Sequence, residues 1–223
     1  MPTILNEVEL RVLGALVEKQ VTTPEYYPLT LNALTLACNQ KNNRHPVTAY
    51  DETTVGLALE SLREKNLTYV FYGSTSRVPK YKHVMPEIFH LSAAELALMC
   101  ALVLRGPQTV GELRGNAGRL FDFVSLEEVE QTLQALITKE PDPLVVRLPR
   151  QPGQKEARFA HLLGGDIDVE NLPAEEETPR AAATLSKHDA AERITRLEQQ
   201  VASLQTEMAG LREQFDQFKK QFD

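Results

Sequence analysis

Residues 51–84, DETTVGLALESLREKNLTYVFYGSTSRVPKYKHV, decide the fold. Asp51 is a cap-type residue, and Val55, Leu59 and Leu62 fall on one face of the helix it opens. The β-rich run 67–72 follows, then the polar loop 73–77 and a short second strand at 80–84. Helix, strand, loop, strand is the back half of a winged helix-turn-helix. In that motif the helix can enter a major groove, and the loop, or wing, can touch phosphate or the minor groove.

The front half of the motif lies upstream. Asn6 and Glu9 have capping-box spacing ahead of an apolar face of Val8, Leu10, Val12, Leu13, Leu16 and Val17. Pro24 and Pro28 break that helix, and Thr30 can cap a second one carrying Leu31, Leu34, Leu36, Ala37 and Cys38. Residues 39–46 are polar and breaker-rich, a long loop for this motif. A second round starts at Ser92. Ser92 with Glu95, Thr109 with Glu112 and Ser125 with Glu128 all have capping-box spacing. The strands 144–148 and 157–162 flank a wing-like loop. Matching caps and hairpins predict tandem domains at 1–90 and 91–165.

The C-terminal quarter reads differently. Residues 166–187 contain Glu175, Glu176, Glu177, Pro173 and Pro179 without an apolar face, which predicts an acidic flexible linker. Over 188–223, Ile194, Leu197, Val201, Leu204, Met208, Leu211, Phe215, Phe218 and Phe222 alternate spacings of three and four. That is a coiled-coil seam, and Ile194 and Val201 at a with Leu197 and Leu204 at d favour a parallel homodimer. A helix folding back on its own domain is the competing reading. The expected fold is therefore α+β, mainly helical with small β-hairpins: two winged helices and a coiled-coil helix.

Charge follows the same division. The formal net charge is −7. Residues 1–90 carry nine basic and nine acidic side chains, 91–165 eight and nine, and 166–223 seven and thirteen. The two domains are near neutral, so acidity does not exclude nucleic acid, and no segment is basic enough to demand it. No apolar run approaches the roughly 20 residues that span a bilayer, and the N-terminus lacks the form of a signal peptide. Cys38 and Cys100 sit in apolar helical contexts and read as buried free thiols. A cytoplasmic protein without membrane contact is expected.

The motifs 16–19 (LVEK), 22–29 (TTPEYYPL), 37–44 (ACNQKNNR), 80–83 (KYKH), 104–109 (LRGPQT) and 160–162 (AHL) resemble the YceH-like family of uncharacterised bacterial proteins over about 5–165. The resemblance implies a tandem winged-helix fold and carries no activity. The heptad tail lies beyond the part matched.

Catalysis finds little support. His45, His83, His90, His161 and His188 are scattered, and no Gly-rich phosphate loop or Gly-x-Ser-x-Gly turn occurs. Cys38 with His45 falls short of the three or four ligands of a zinc site. Neither enzyme nor cofactor is expected.

The expected function is that of a dimeric DNA-associated, regulatory protein. Duplex DNA would meet Gln40, Lys41, Asn43 and Arg44 of the loop, Thr53 and Thr54 of the third helix, and Ser76, Arg77, Lys80 and Lys82 of the wing. Two bland readings compete: the loop is simply solvated, or its Asn and Arg brace the turn. Glu60, Glu64, Glu127, Glu128 and Glu130 argue for restraint, since carboxylates repel phosphates. The alternative is a protein–protein adaptor that does not bind DNA.

Overall fold

A computed structural model describes residues 4–72, 78–150, 154–165 and 167. The element order is α1 (Glu7–Thr22), a 3-10 turn (Pro24–Tyr26), β1 (Leu29–Thr30), α2 (Leu31–Cys38), α3 (Glu52–Glu64), β2 (Thr68–Phe71), β3 (Lys80–His83) and α4 (Met85–Phe89). It continues with α5 (Ala93–Arg105), α6 (Val110–Ala117), α7 (Leu126–Ile137), β4 (Val145–Arg147) and β5 (Phe159–His161). The fold is mixed α+β with small antiparallel sheets.

The helix starts follow from side-chain chemistry. Asn6, Ser92 and Thr109 each close a reciprocal capping box with Glu9, Glu95 and Glu112. Thr30 and Asp51 cap α2 and α3 one way, through the N–H groups of Ala33 and Thr54. The box expected at Ser125 is also one-way. Glu128 donates its N–H to Ser125 Oγ, but its carboxylate takes the N–H of Val124 instead of returning to Ser125.

Strand β1 was not expected, being two residues of which the first follows a proline and the second is itself the cap of α2. It pairs with β3, giving the sheet order β1-β3-β2. The second half repeats the device in smaller form. Gln108, just before the cap Thr109, exchanges backbone hydrogen bonds with Phe159 as an isolated bridge.

The repeat extends to charge. Glu9, besides closing its box, accepts from Ser61 Oγ and from Lys65 Nζ at 2.7 Å, tying α1 to the C-terminal end of α3. Glu95 does the same with Lys139 Nζ at 2.6 Å, tying α5 to the end of α7. A lysine there also lies near the negative end of the helix dipole.

One apolar cluster runs through both halves. Helix α1 packs against α5 at Gly14. A Cβ built there would come within 2.8 Å of Leu104 Cδ2 and 2.9 Å of its Cγ. Cys100 sits at the same crossing, its Sγ 3.5 Å from the Gly14 carbonyl. Both cysteines are free and buried, as expected.

Two predictions follow from this packing. Gly14→Val should force the two helices apart and lower unfolding free energy by about 1–3 kcal/mol, the usual range for overpacking, as read by urea denaturation. The second concerns acid. Burial holds the His83 and His161 imidazoles down to about 4, and His83 Nε2 and His161 Nδ1 have no hydrogen-bond partner among the described residues. The folded state thus takes up fewer protons than the unfolded state between the ordinary histidine value and about 4. Stability should fall as pH drops through that window, by up to about 1.4 kcal/mol per pH unit for each group. Glu9 and Glu95 are buried, which raises a carboxyl, but hydrogen bonds from their lysine and cap partners outweigh this and hold both below the ordinary carboxylate value. They should extend the loss to lower pH. Thermal melts of wild type and His83→Gln across pH 7 to 4 test the histidine part: the variant curve should be flatter.

Candidate functional site

The 39–46 loop begins where α2 leaves its last carbonyls without helical partners. Two arginines take them up. Arg11, inside α1, donates to Cys38 O at 3.3 Å and to Pro46 O at 2.7 Å. Arg44 donates to Ala37 O through Nε and Nη2, and to Asn43 O through Nη1. Its Nη2 also meets Glu18 Oε2 at 2.7 Å and lies 3.4 Å from Gln40 Oε1. Asn39 clamps Tyr50 with a donor and an acceptor, at 2.7 and 2.8 Å.

The loop then docks on the second half. The His45 N–H donates to Leu104 O at 2.9 Å, Arg105 contacts Asn43 Oδ1, and Arg119 reaches Glu18 Oε1 at 3.2 Å. This corrects the expectation for Arg44. Its residue exposure is 5%, and its guanidinium is directed at internal acceptors. Arg44 is a brace, the bland alternative for this loop. Asn43 and Gln40 are likewise engaged within the fold. Lys41 is exposed.

The other expected contacts are more open. Thr53 is exposed on α3 and Thr54 is half-buried, its N–H on Asp51 Oδ1 at 2.7 Å. Lys80 and Lys82 are half-buried on β3, with Lys82 Nζ 5.0 Å from the Phe71 ring centre. Ser76 and Arg77 lie outside the described residues. So do the seam positions Ile194, Leu197, Val201, Leu204, Met208, Leu211 and Phe215.

The outward face of α3 is acidic around an apolar centre. Leu57 is 63% exposed, and Glu60 and Glu64 are exposed with it. On α7, Leu126, Glu127 and Glu130 are exposed in turn. A cleft of about 420 Å³ is lined by α7 and the second hairpin, with Glu130, Glu156, Arg147 and Arg150 among its lining residues.

Neither cysteine thiol is activated as a nucleophile. Burial pushes the Cys38 thiol up to about 12, with Arg44 and Arg11 pulling weakly the other way, and burial raises Cys100 as well. Among the described residues no three His, Cys, Asp or Glu side chains are grouped to hold a metal ion. No helix among them is long and apolar enough to cross a membrane.

Glu18 and Arg11 were missed as structural residues. Their signal was present: they are charged side chains seven residues apart on a helix that is otherwise apolar around much of its circumference. The pairing predicts that Arg44→Ala, which leaves the buried Glu18 carboxylate without its fully buried partner and the Ala37 carbonyl without its donor, costs about 3–5 kcal/mol of stability. Glu18→Gln with Arg44→Met should recover most of it. Chemical denaturation of the two variants measures both.

Comparison with known proteins places the chain among its relatives. A family model described as "Protein of unknown function, DUF480" matches residues 5–154. A UPF0502 protein of Opitutus terrae is 55% identical over 202 residues, covering 90% of this chain and 83% of the relative. A UPF0502 protein of Pelobacter propionicus is 52% identical over 225 residues and one of Geobacter sulfurreducens 51% over 224, each covering 100% of both chains. The similarity therefore continues through the heptad tail, further than the motif resemblance reached. The chain belongs to the DUF480 family, a family of unknown function.

Proposed function

We propose that this chain is a non-enzymatic interaction protein, an adaptor built from two winged helices at 1–90 and 91–165. The linker at 166–187 and the coiled-coil segment at 188–223 would join two copies. Support for the winged-helix reading comes from the element order, the sheet order β1-β3-β2 and the echo of β1 at Gln108. Support for the dimer comes from the heptad pattern alone.

The adaptor reading rests above all on α3. A helix that reads a major groove presents neutral or basic donors. This one presents Leu57 beside Glu60 and Glu64, while Arg44, the nearest expected cation in sequence, faces inward. The fitting partner is a protein surface with basic groups around an apolar socket. Capture of the tagged full-length chain from its own cells, with nuclease present, should retain that partner. Leu57→Asp, or Glu60→Lys with Glu64→Lys, should abolish capture without changing the melting temperature. Retention that disappears on nuclease treatment would sink the adaptor reading. Light scattering should give the mass of a dimer, and Leu204→Glu that of a monomer.

Duplex DNA is the second reading. It keeps Lys41, Thr53, Lys80 and Lys82 as open donors, together with Ser76 and Arg77 of the wing. Such binding would be mostly electrostatic, weakening steeply with salt. Its location would shift from the loop to the β2–β3 hairpin, because the loop's arginine is engaged internally.

A further inference from the structure

The β1-β3-β2 sheet has one face toward the core and one away from it. Thr68 and His83 are buried, and Tyr81 packs against the apolar cluster. Because side chains alternate along a strand, the intervening residues point outward. Across the ladder Tyr69 faces Lys82, and Phe71 faces Lys80. Directly opposed residues share a face, and the position of Lys82 Nζ over the Phe71 ring shows that this diagonal pair shares it too. On β2 and β3 the outward face is therefore two aromatic rings and two ammonium groups, with Thr30 of β1 opposite Lys80. Tyr69 is 42% and Phe71 38% exposed.

Three observations set this face apart. The strands β1, β2 and β3 contain no carboxylate, whereas the outward faces of α3 and α7 are rich in them. The rings lie on the side away from the core, outside the buried apolar cluster. The second sheet lacks the arrangement: Val145, Phe159 and Ala160 are buried, and its only aromatic residue is among them.

We infer that this face binds single-stranded nucleic acid, with Tyr69 and Phe71 each stacking an unpaired base and Lys80 and Lys82 meeting the phosphates. Rings and cations mixed on an open sheet suit that ligand, since every base has a π-face and the backbone is uniformly anionic. A duplex hides its base faces in its own stack, so it could use the lysines but not the rings. The two rings are two residues apart on one strand, roughly 6.8 Å, which leaves each room for its own base. The Lys82 ammonium rests over Phe71 in the free protein and can turn to a phosphate when a base takes its place. This deepens the nucleic-acid reading of the hairpin and does not need the adaptor reading.

The test uses the full-length chain and labelled oligo-dT, followed by fluorescence anisotropy at low salt. A duplex of equal length and a polyglutamate peptide serve as competitors. The chain has no tryptophan and six tyrosines, so the part of the tyrosine quenching that Tyr69→Phe removes reports stacking on that ring. Oligo-dT should bind more tightly than the duplex. Tyr69→Ala with Phe71→Ala should weaken binding at least tenfold and leave the salt slope unchanged. Tyr69→Phe with Phe71→Tyr should retain it. Lys80→Ala with Lys82→Ala should flatten the log–log salt slope by about 1.4, from roughly 0.7 for each single-strand phosphate contact. Unchanged affinity in a well-folded aromatic variant would overturn the inference, as would equal competition by polyglutamate. Tighter duplex binding would overturn it while leaving nucleic acid as a ligand, and binding of neither would end both.

Discussion

The guanidinium of Arg44 and the carboxylate of Glu18 meet where α1, the end of α2, the 39–46 loop and the second half of the chain come together. Removing two such charges from water costs several kcal/mol each, and their attraction offsets this only when the remaining donors and acceptors are satisfied. Here they are. Arg44 completes the end of α2 and steadies Asn43, while Glu18 keeps a second oxygen for Arg119. A loop bound on these terms has little freedom. Its backbone then docks on α5 through His45 and Leu104, so the conformation of a polar loop and the junction of the two halves are one problem with one solution.

That arrangement changes what the surface has to offer. With the arginine inside, the first half presents two faces of opposite chemistry. The α3 face is acidic around Leu57, and the outer sheet face carries lysines and rings without a carboxylate in its strands. The second half repeats the acidic helix but not the aromatic sheet, so the halves share a framework without sharing surface chemistry. What they do share is load-carrying: a capping-box glutamate on the first helix, held by a lysine at the end of the third.

Much of this was legible in the sequence. The caps at Asn6, Thr30, Asp51, Ser92, Thr109 and Ser125 were read correctly because capping is local. A side-chain oxygen reaches an N–H two or three residues on, whatever the rest of the chain does. Helical faces and both hairpins were legible for the same reason, through periods of 3.6 and 2. Strand β1 was not, since two residues carry no period and pair only because β3 lies beside them. The role of Gly14 was equally hidden, being set by a helix that enters some ninety residues later.

The sequence by itself determined where the helices begin, which faces are apolar, and that the cysteines are buried. All of these depend on neighbours a few residues away. Tertiary structure alone decided which cations are available to a partner. Arg44, Lys41, Lys80 and Lys82 look alike in a string of letters, but a charge is available or engaged according to what lies opposite it in space. For Arg44 that is a carboxylate 26 residues back and the helix-end carbonyl of Ala37, brought together only when the chain has closed.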